Sequence, residues 1–100
     1  MKTTVVKNGK EIAVSLDGRF TTDVTTEFLK DIESLMEERH LEITMDLGSL
    51  EFISSAGIRC FVMLLKACTA NESTLCLKNL TPQIRDIFTL TSLIDKFKVE

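Results

Sequence analysis

Residues 52–60 read FISSAGIRC: two adjacent hydroxyl side chains, Ser54 and Ser55, then the small pair Ala56 and Gly57, with apolar residues on both sides. A serine directly ahead of an apolar helical run suits capping, because its oxygen accepts from an amide that the first helical turn leaves without a partner. One of the two serines is well placed for that duty. The pair also suits a modification switch. A phosphoryl group carries about −1.5 to −2 charge, and at a helix start it sits at the positive end of the dipole, so the fold tolerates it while the surface changes sign. Downstream, Arg59, Met63 and Lys66 are spaced i, i+4 and i+7, opposite the apolar positions of the same segment. Such a face is ordinary for a surface helix, yet an arginine and an exposed methionine beside a switch also make an interface anchor.

Other chemistries find few residues to work with. There is no G-x-x-x-x-G-K-[ST] and no G-x-S-x-G, and the single histidine, His40, falls at a helix end where it reads as solvated. Cys60, Cys68 and Cys76 lack C-x-x-C spacing and read as buried reduced thiols, so no disulfide framework and no metal site is expected. No cofactor and no enzymatic activity is expected. The EERH run at 37–40 reads as a solvated charged end. Twelve Lys and Arg against 15 Asp and Glu leave a formal charge of -3, which argues against a polyanionic partner such as nucleic acid. Nowhere do about 18 apolar residues run together, and MKTTVVKNGKEIAV has neither an h-region nor a cleavage site. The expectation is a cytoplasmic protein without membrane insertion.

These residues need a scaffold, and the 100-residue chain, 44% hydrophobic, has the material for one domain spanning 1–100. KTTVVK (2–7) and EIAVSL (11–16) are β-rich runs around Asn8-Gly9, which predicts a hairpin, and Asp17-Gly18 closes the second run. Val24, Phe28, Ile32 and Leu35 recur at helical spacing, with Thr21 or Thr22 as cap and Asp23 near the positive end. LEITMDL (41–47) alternates like a strand and Gly48 ends it. After FISS, the apolar positions Ile58, Phe61, Val62, Leu65 and Cys68 or Thr69 predict a second, well-buried helix. TLCLK (74–78) is a short strand. Thr81-Pro82 then supplies a cap and a proline at the first helical position, opening a third helix that breaks near Thr91-Ser92. The order β-β-α-β-α-β-α implies an α/β fold: a mixed four-stranded sheet with three to four helices, its main helices on one face, and right-handed crossovers.

LGSLEFISSAGIRCFVMLLK resembles the signature of the STAS family, the domain of bacterial anti-sigma factor antagonists, in which a strand, an apolar pair and D-S-S/T-G-[LI] lead into a helix. LDGRF resembles that family's G-x-[LF] turn after the second strand. TPQIRDIFTLTSL is similar to its P-x-[VI]-x-x-[LIF]-[FL]-x-x-[ST]-x-L segment, carried by Pro82, Ile84, Ile87, Phe88, Thr91 and Leu93. The family's phosphorylated hydroxyl falls on Ser55, with Gly57 and Ile58 completing the motif; Ser54 stands where the family has aspartate, and Ala56 at its second hydroxyl position. The resemblance implies a regulator that, while unphosphorylated, binds an anti-sigma factor serine kinase and so releases a sigma factor. Phosphorylation of Ser55 switches it off and a cognate phosphatase resets it. The implied partner surface is Ser54, Ser55, Ala56, Gly57, Arg59, Met63 and Lys66, on a monomer or weak dimer. The second implied reading is a non-phosphorylated STAS subunit of a transporter-associated or other multiprotein complex.

Overall fold

The alternation of side chains in the first two runs closes into an antiparallel hairpin, β1 (Lys2–Asn8) against β2 (Glu11–Phe20), in a computed structural model that describes Met1–Glu100. Asn8 faces Glu11 in the ladder, so the two-residue turn is Gly9-Lys10, one residue later than the Asn8-Gly9 expected from sequence. β2 does not stop at Asp17-Gly18. Gly18 takes φ 109°, a conformation side-chain-bearing residues avoid, and register shifts beside it let the strand run on to Phe20.

The remaining strands are all parallel to β2: β3 (Glu42–Ile53), β4 (Thr74–Lys78) and β5 (Lys98–Val99), in the order β1-β2-β3-β4-β5. Two expectations are corrected here. Gly48 does not end β3, because Ser49, Leu50, Phe52 and Ile53 keep pairing with Asp17, Gly18, Arg19 and Phe20. The sheet has five strands instead of four, since a two-residue strand is too short to show any periodicity.

A strand order that follows the chain order, combined with right-handed crossovers, puts every helix on the same face of the sheet. A 3₁₀ turn at Thr22–Val24 leads into α1 (Thr25–Asp31) and α2 (Glu33–Glu37), two short helices where one was expected. The break is Ile32, at φ −106° and ψ 5°, whose side chain nonetheless stays buried in line with Phe28 and Leu35. α3 (Ser55–Ala70) and α4 (Pro82–Leu90) complete the layer, and Thr81 caps α4 by accepting from the Ile84 amide at 3.4 Å.

Between the layers lie Ile12, Val14, Leu16, Ile43, Met45, Leu47 and Leu77 from the sheet, with Phe61, Leu64, Ile84 and Phe88 from the helices, all buried. Phe61 is the hinge of an aromatic chain, 5.6 Å from Phe88 and 6.1 Å from Phe20 between ring centroids. Such pairs add roughly 0.5–1.5 kcal/mol each beyond their area. Phe97 joins at 5.5 Å from Phe88, which anchors the tail and delivers Lys98 and Val99 to the edge of β4.

Candidate functional site

The two serines take different positions because the sheet hands the chain directly to α3 without a loop. Ile53 is still paired with Phe20, and the Ser54 amide donates to the Phe20 carbonyl at 2.8 Å, so the ladder ends at the residue where the helix begins. Ser54 is extended (φ −80°, ψ 168°), and its Oγ accepts from the Gly57 amide at 3.1 Å. That is the N-cap geometry, and the half-buried Ser54 hydroxyl is committed to it. Ser55 is the first helical residue and is exposed. Its own N–H and that of Ala56 have no intrahelical acceptor, as in any first turn, and they lie at the positive end of a 16-residue helix.

Gly57 faces the opposite way, into the core. A Cβ there would lie 2.8 Å from Ile53 Cγ1 and 2.9 Å from Phe20 Cδ1, so α3 can approach the sheet only because this residue has no side chain. Gly57 therefore offers no surface to a partner and acts by seating the helix. The buried positions of α3 are Gly57, Cys60, Phe61, Leu64 and Cys68. Ile58, Val62 and Leu65, expected in that stripe, are half-buried, because the close approach at Gly57 sets the rotation of the helix.

Arg59, Met63 and Lys66 are exposed on the same helix as Ser55, and neither cation forms an ion pair. Met63 is 44% exposed, one of three large apolar side chains so placed. Ser55, Arg59, Met63 and Lys66 thus follow at intervals of four, four and three along one solvent-facing line. Ala56 is half-buried beside it. None of the molecule's three surface hollows is lined by residues 54–57, so this is an open helix surface.

Two neighbours of the site are brought to it by the fold. The Arg19 guanidinium stacks over the Phe52 ring, 4.6 Å from its centroid, on the strand ends that deliver Ser54. The GRF and EFISS stretches contain both residues, but only the β2–β3 register brings them together. Beside α3 packs the Thr22–Val24 turn, where the Thr21 hydroxyl donates to Asp23 and, with a backbone bond, holds that carboxyl below the usual carboxylate range. Thr21 caps nothing with its side chain. His40 lies away from this surface, in the left-handed region at φ 59°, with Nδ1 4.0 Å from Glu72. The three cysteines are buried and unpaired; burial pushes the Cys60 and Cys76 thiols up and Cys68 to about 11.

Comparison with known proteins agrees with this architecture. BtrV of Bordetella bronchiseptica, named as a candidate anti-sigma factor antagonist, is 25% identical over 99 residues, covering 99% of this chain and 85% of its own. A crystal structure of a candidate anti-sigma factor antagonist from Thermotoga maritima superposes with a TM-score of 0.87 at 16% identity, covering 97% of this chain and 84% of that one. The anti-sigma factor antagonist SpoIIAA in its unphosphorylated form gives 0.84 at 15% identity over 99% and 88%. The phosphorylated form of SpoIIAA, from Bacillus, gives 0.78 at 15% over 99% and 91%. At those identities the structural likeness is one of fold. The family described as Mlab, STAS domain, matches residues 3–99, nearly the whole sheet and helix layer, and the chain belongs to that family of STAS domains.

Proposed function

We propose that this protein is an anti-sigma factor antagonist that acts in the cytoplasm and is controlled by phosphorylation of Ser55. In the unmodified state it binds an anti-sigma factor that is also a serine kinase, through Ser55 and the Arg59, Met63 and Lys66 line, and the bound sigma factor is released. The kinase then moves the γ-phosphoryl group of ATP to Ser55 Oγ, whose proton leaves, and a phosphatase later hydrolyses the ester. The chain itself binds and is modified; it catalyses nothing.

The observation that carries this reading is the contrast between the two serines: the Ser54 hydroxyl is occupied by the Gly57 amide, whereas Ser55 stands exposed one residue later. A phosphate on Ser55 would sit beside the first-turn N–H groups of α3, favourably for the fold, at the head of the surface that a partner covers. Desolvating a doubly charged group on docking costs on the order of a few kcal/mol, about a hundredfold or more in affinity. The family, and a relative named as a candidate antagonist, support the same reading.

The test is incubation with a cognate anti-sigma kinase and ATP, read by intact mass and peptide mapping. One phosphoryl group on Ser55, lost in Ser55→Ala, is the expected result; label on Ser54 rejects it. Ser55→Asp is expected to weaken partner binding in calorimetry while the melting temperature holds. A second reading is favoured by one observation, that Ser54 stands where the family motif has aspartate: a constitutive subunit of a transporter-associated complex, with Ser55 at the interface and never modified. A stable complex with no mass change under kinase and ATP identifies that case.

A further inference from the structure

The face of the sheet opposite the helices has no covering layer. Parallel sheets are ordinarily buried on both faces, and here β2, β3, β4 and β5 are parallel while their second face meets solvent. The chain adapts by placing small and polar residues there: Ala13 and Ser15 on β2, beside Thr44 and Asp46 on β3. Between taller neighbours these form the floor of a groove of about 470 Å³, with Val6, 57% exposed, on its rim. A second hollow shares Ser15 and Asp46 with the first, and a third shares Asp17 and Ser49 with the second. The first two make one track along the strands, and the third carries it to the end of the sheet, where Thr81 and Gln83 at the start of α4 close it off. From Glu42 to Ser49 on β3 it spans roughly 23 Å at about 3.3 Å per residue, the reach of an extended segment of about seven residues.

The charges along this track are lopsided. Glu11 and Glu42 are directly paired in the β2–β3 register, a like-charge juxtaposition that weakens a sheet, and neither takes part in an ion pair. Asp46 follows in the same groove, then Asp17 and Glu51 farther along, against Lys78 and Lys2. Hydrogen bonds from the Gly48 amide and Asn79 keep Asp46 in its charged form. An extended guest presents every second side chain to the surface beneath it. A row of cations at that spacing would meet the carboxylates, and small apolar groups would meet Val6 and Ala13.

We propose that the open sheet face is a second docking surface, for a basic extended segment of a partner protein about seven residues long with Arg or Lys at alternate positions. It lies on the other side of the sheet from α3 and does not depend on Ser55, so one chain could hold a switched partner and an unswitched one together.

The probe is an acetylated, amidated heptapeptide alternating arginine with valine, titrated into the isotope-labelled full chain at about physiological ionic strength, where exposed long-range charge effects are screened. Expected are amide shifts confined to Ala13, Ser15, Thr44, Asp46 and their strand neighbours, unchanged in Ser55→Asp. The double variant E11Q/E42Q, conservative and at exposed positions, is expected to stay folded, to be no less stable, and to bind at least tenfold more weakly. A peptide alternating glutamate with valine is expected to give no shifts. Shifts centred on α3 or scattered over the surface, or equal affinity in E11Q/E42Q, overturn the proposal. So does a concentration-dependent dimer that buries this face and responds to E11Q/E42Q, which would make a second copy the occupant.

Discussion

At the residue scale, the functional surface is organised by which hydroxyl is already bonded. Removing the Ser54 side chain leaves the Gly57 amide without its acceptor, so Ser54→Ala is expected to cost about 1 kcal/mol in urea unfolding. Ser55→Ala, at an exposed position whose side chain takes no part in the cap, is expected to stay within about 0.5 kcal/mol of wild type. Equal losses at the two positions would mean that the cap is shared. Gly57 poses a competition between two terms. An added methyl raises helix propensity by up to about 1 kcal/mol, but it must displace Ile53 and Phe20 side chains that lie within 3 Å of the new carbon. Overpacking of this kind costs about 1–3 kcal/mol, so Gly57→Ala is expected to be a net loss of about 1 kcal/mol, with shifted resonances for Phe20. The glycine of the motif is thus accounted for by packing. The serine after the cap is left to function.

At the element scale, the long β3 strand is held at its register shift beside Gly48 by one carboxylate. Asp46 Oδ1 accepts from the Gly48 amide at 2.9 Å and from Asn79 Nδ2 at 3.2 Å, tying β3 to the end of β4 where Asn79 takes φ 58°. The Gly48 bond first, and Asn79 second, hold the Asp46 carboxyl below the usual carboxylate range. A lowered folded value means that stability from this group is present above the unfolded pKa and is lost as pH falls through the folded one. Asp46→Asn cannot titrate. The stability difference between wild type and Asp46→Asn, read by urea unfolding, is therefore expected to be level from about pH 7 to about pH 5 and to close below about pH 4. A gap that persists in acid would assign the tie to shape instead of charge. The fraying of the first helix into α1 and α2 belongs to this scale too. Its apolar spacing was readable in Val24, Phe28, Ile32 and Leu35, but the kink at Ile32 was not, because no glycine or proline marks it.

At the scale of the whole molecule, one core joins all elements, and the thiols report on it. Cys60 and Cys68 lie in the helix–sheet core and Cys76 is buried on β4, with burial raising each thiol, Cys68 to about 11 against an ordinary value near 8.5. Neutral, inaccessible thiols react only when the fold opens. Alkylation with iodoacetamide at about pH 8 is expected to label Cys60 and Cys68 together, at the rate of global unfolding measured independently. Rapid labelling of Cys60 alone would locate a local opening of α3 and separate the Ser55 surface from the core in stability. The same core explains the two-sidedness of the molecule. Every helix is needed to cover Ile12, Val14, Ile43, Met45 and Leu77, and none is left for the reverse face.

Sequence alone determined what depends on near neighbours in the chain. The hairpin, the alternation in β3, the Thr81-Pro82 helix start and a helix opening at the serine pair all follow from capping, turn chemistry and periodicity, which act within a few residues. So did the choice of fold class. The tertiary structure decided what depends on pairing between distant residues. The ladder from Phe20 to Ile53 carried β3 past Gly48 and made Ser54 the cap. The packing of Gly57 on Phe20 turned α3 so that Cys60 and Leu64 are buried and Ile58 is not. β5 exists only because Phe97, buried beside Phe88, holds Lys98 and Val99 against β4. The adjacency of Glu11 and Glu42 is likewise a matter of register, invisible in a chain where they stand 31 positions apart and neighbours only across the sheet. Local bonding free energy selects an element, but the element's length, rotation and partner are set by which surfaces the folded core brings into contact.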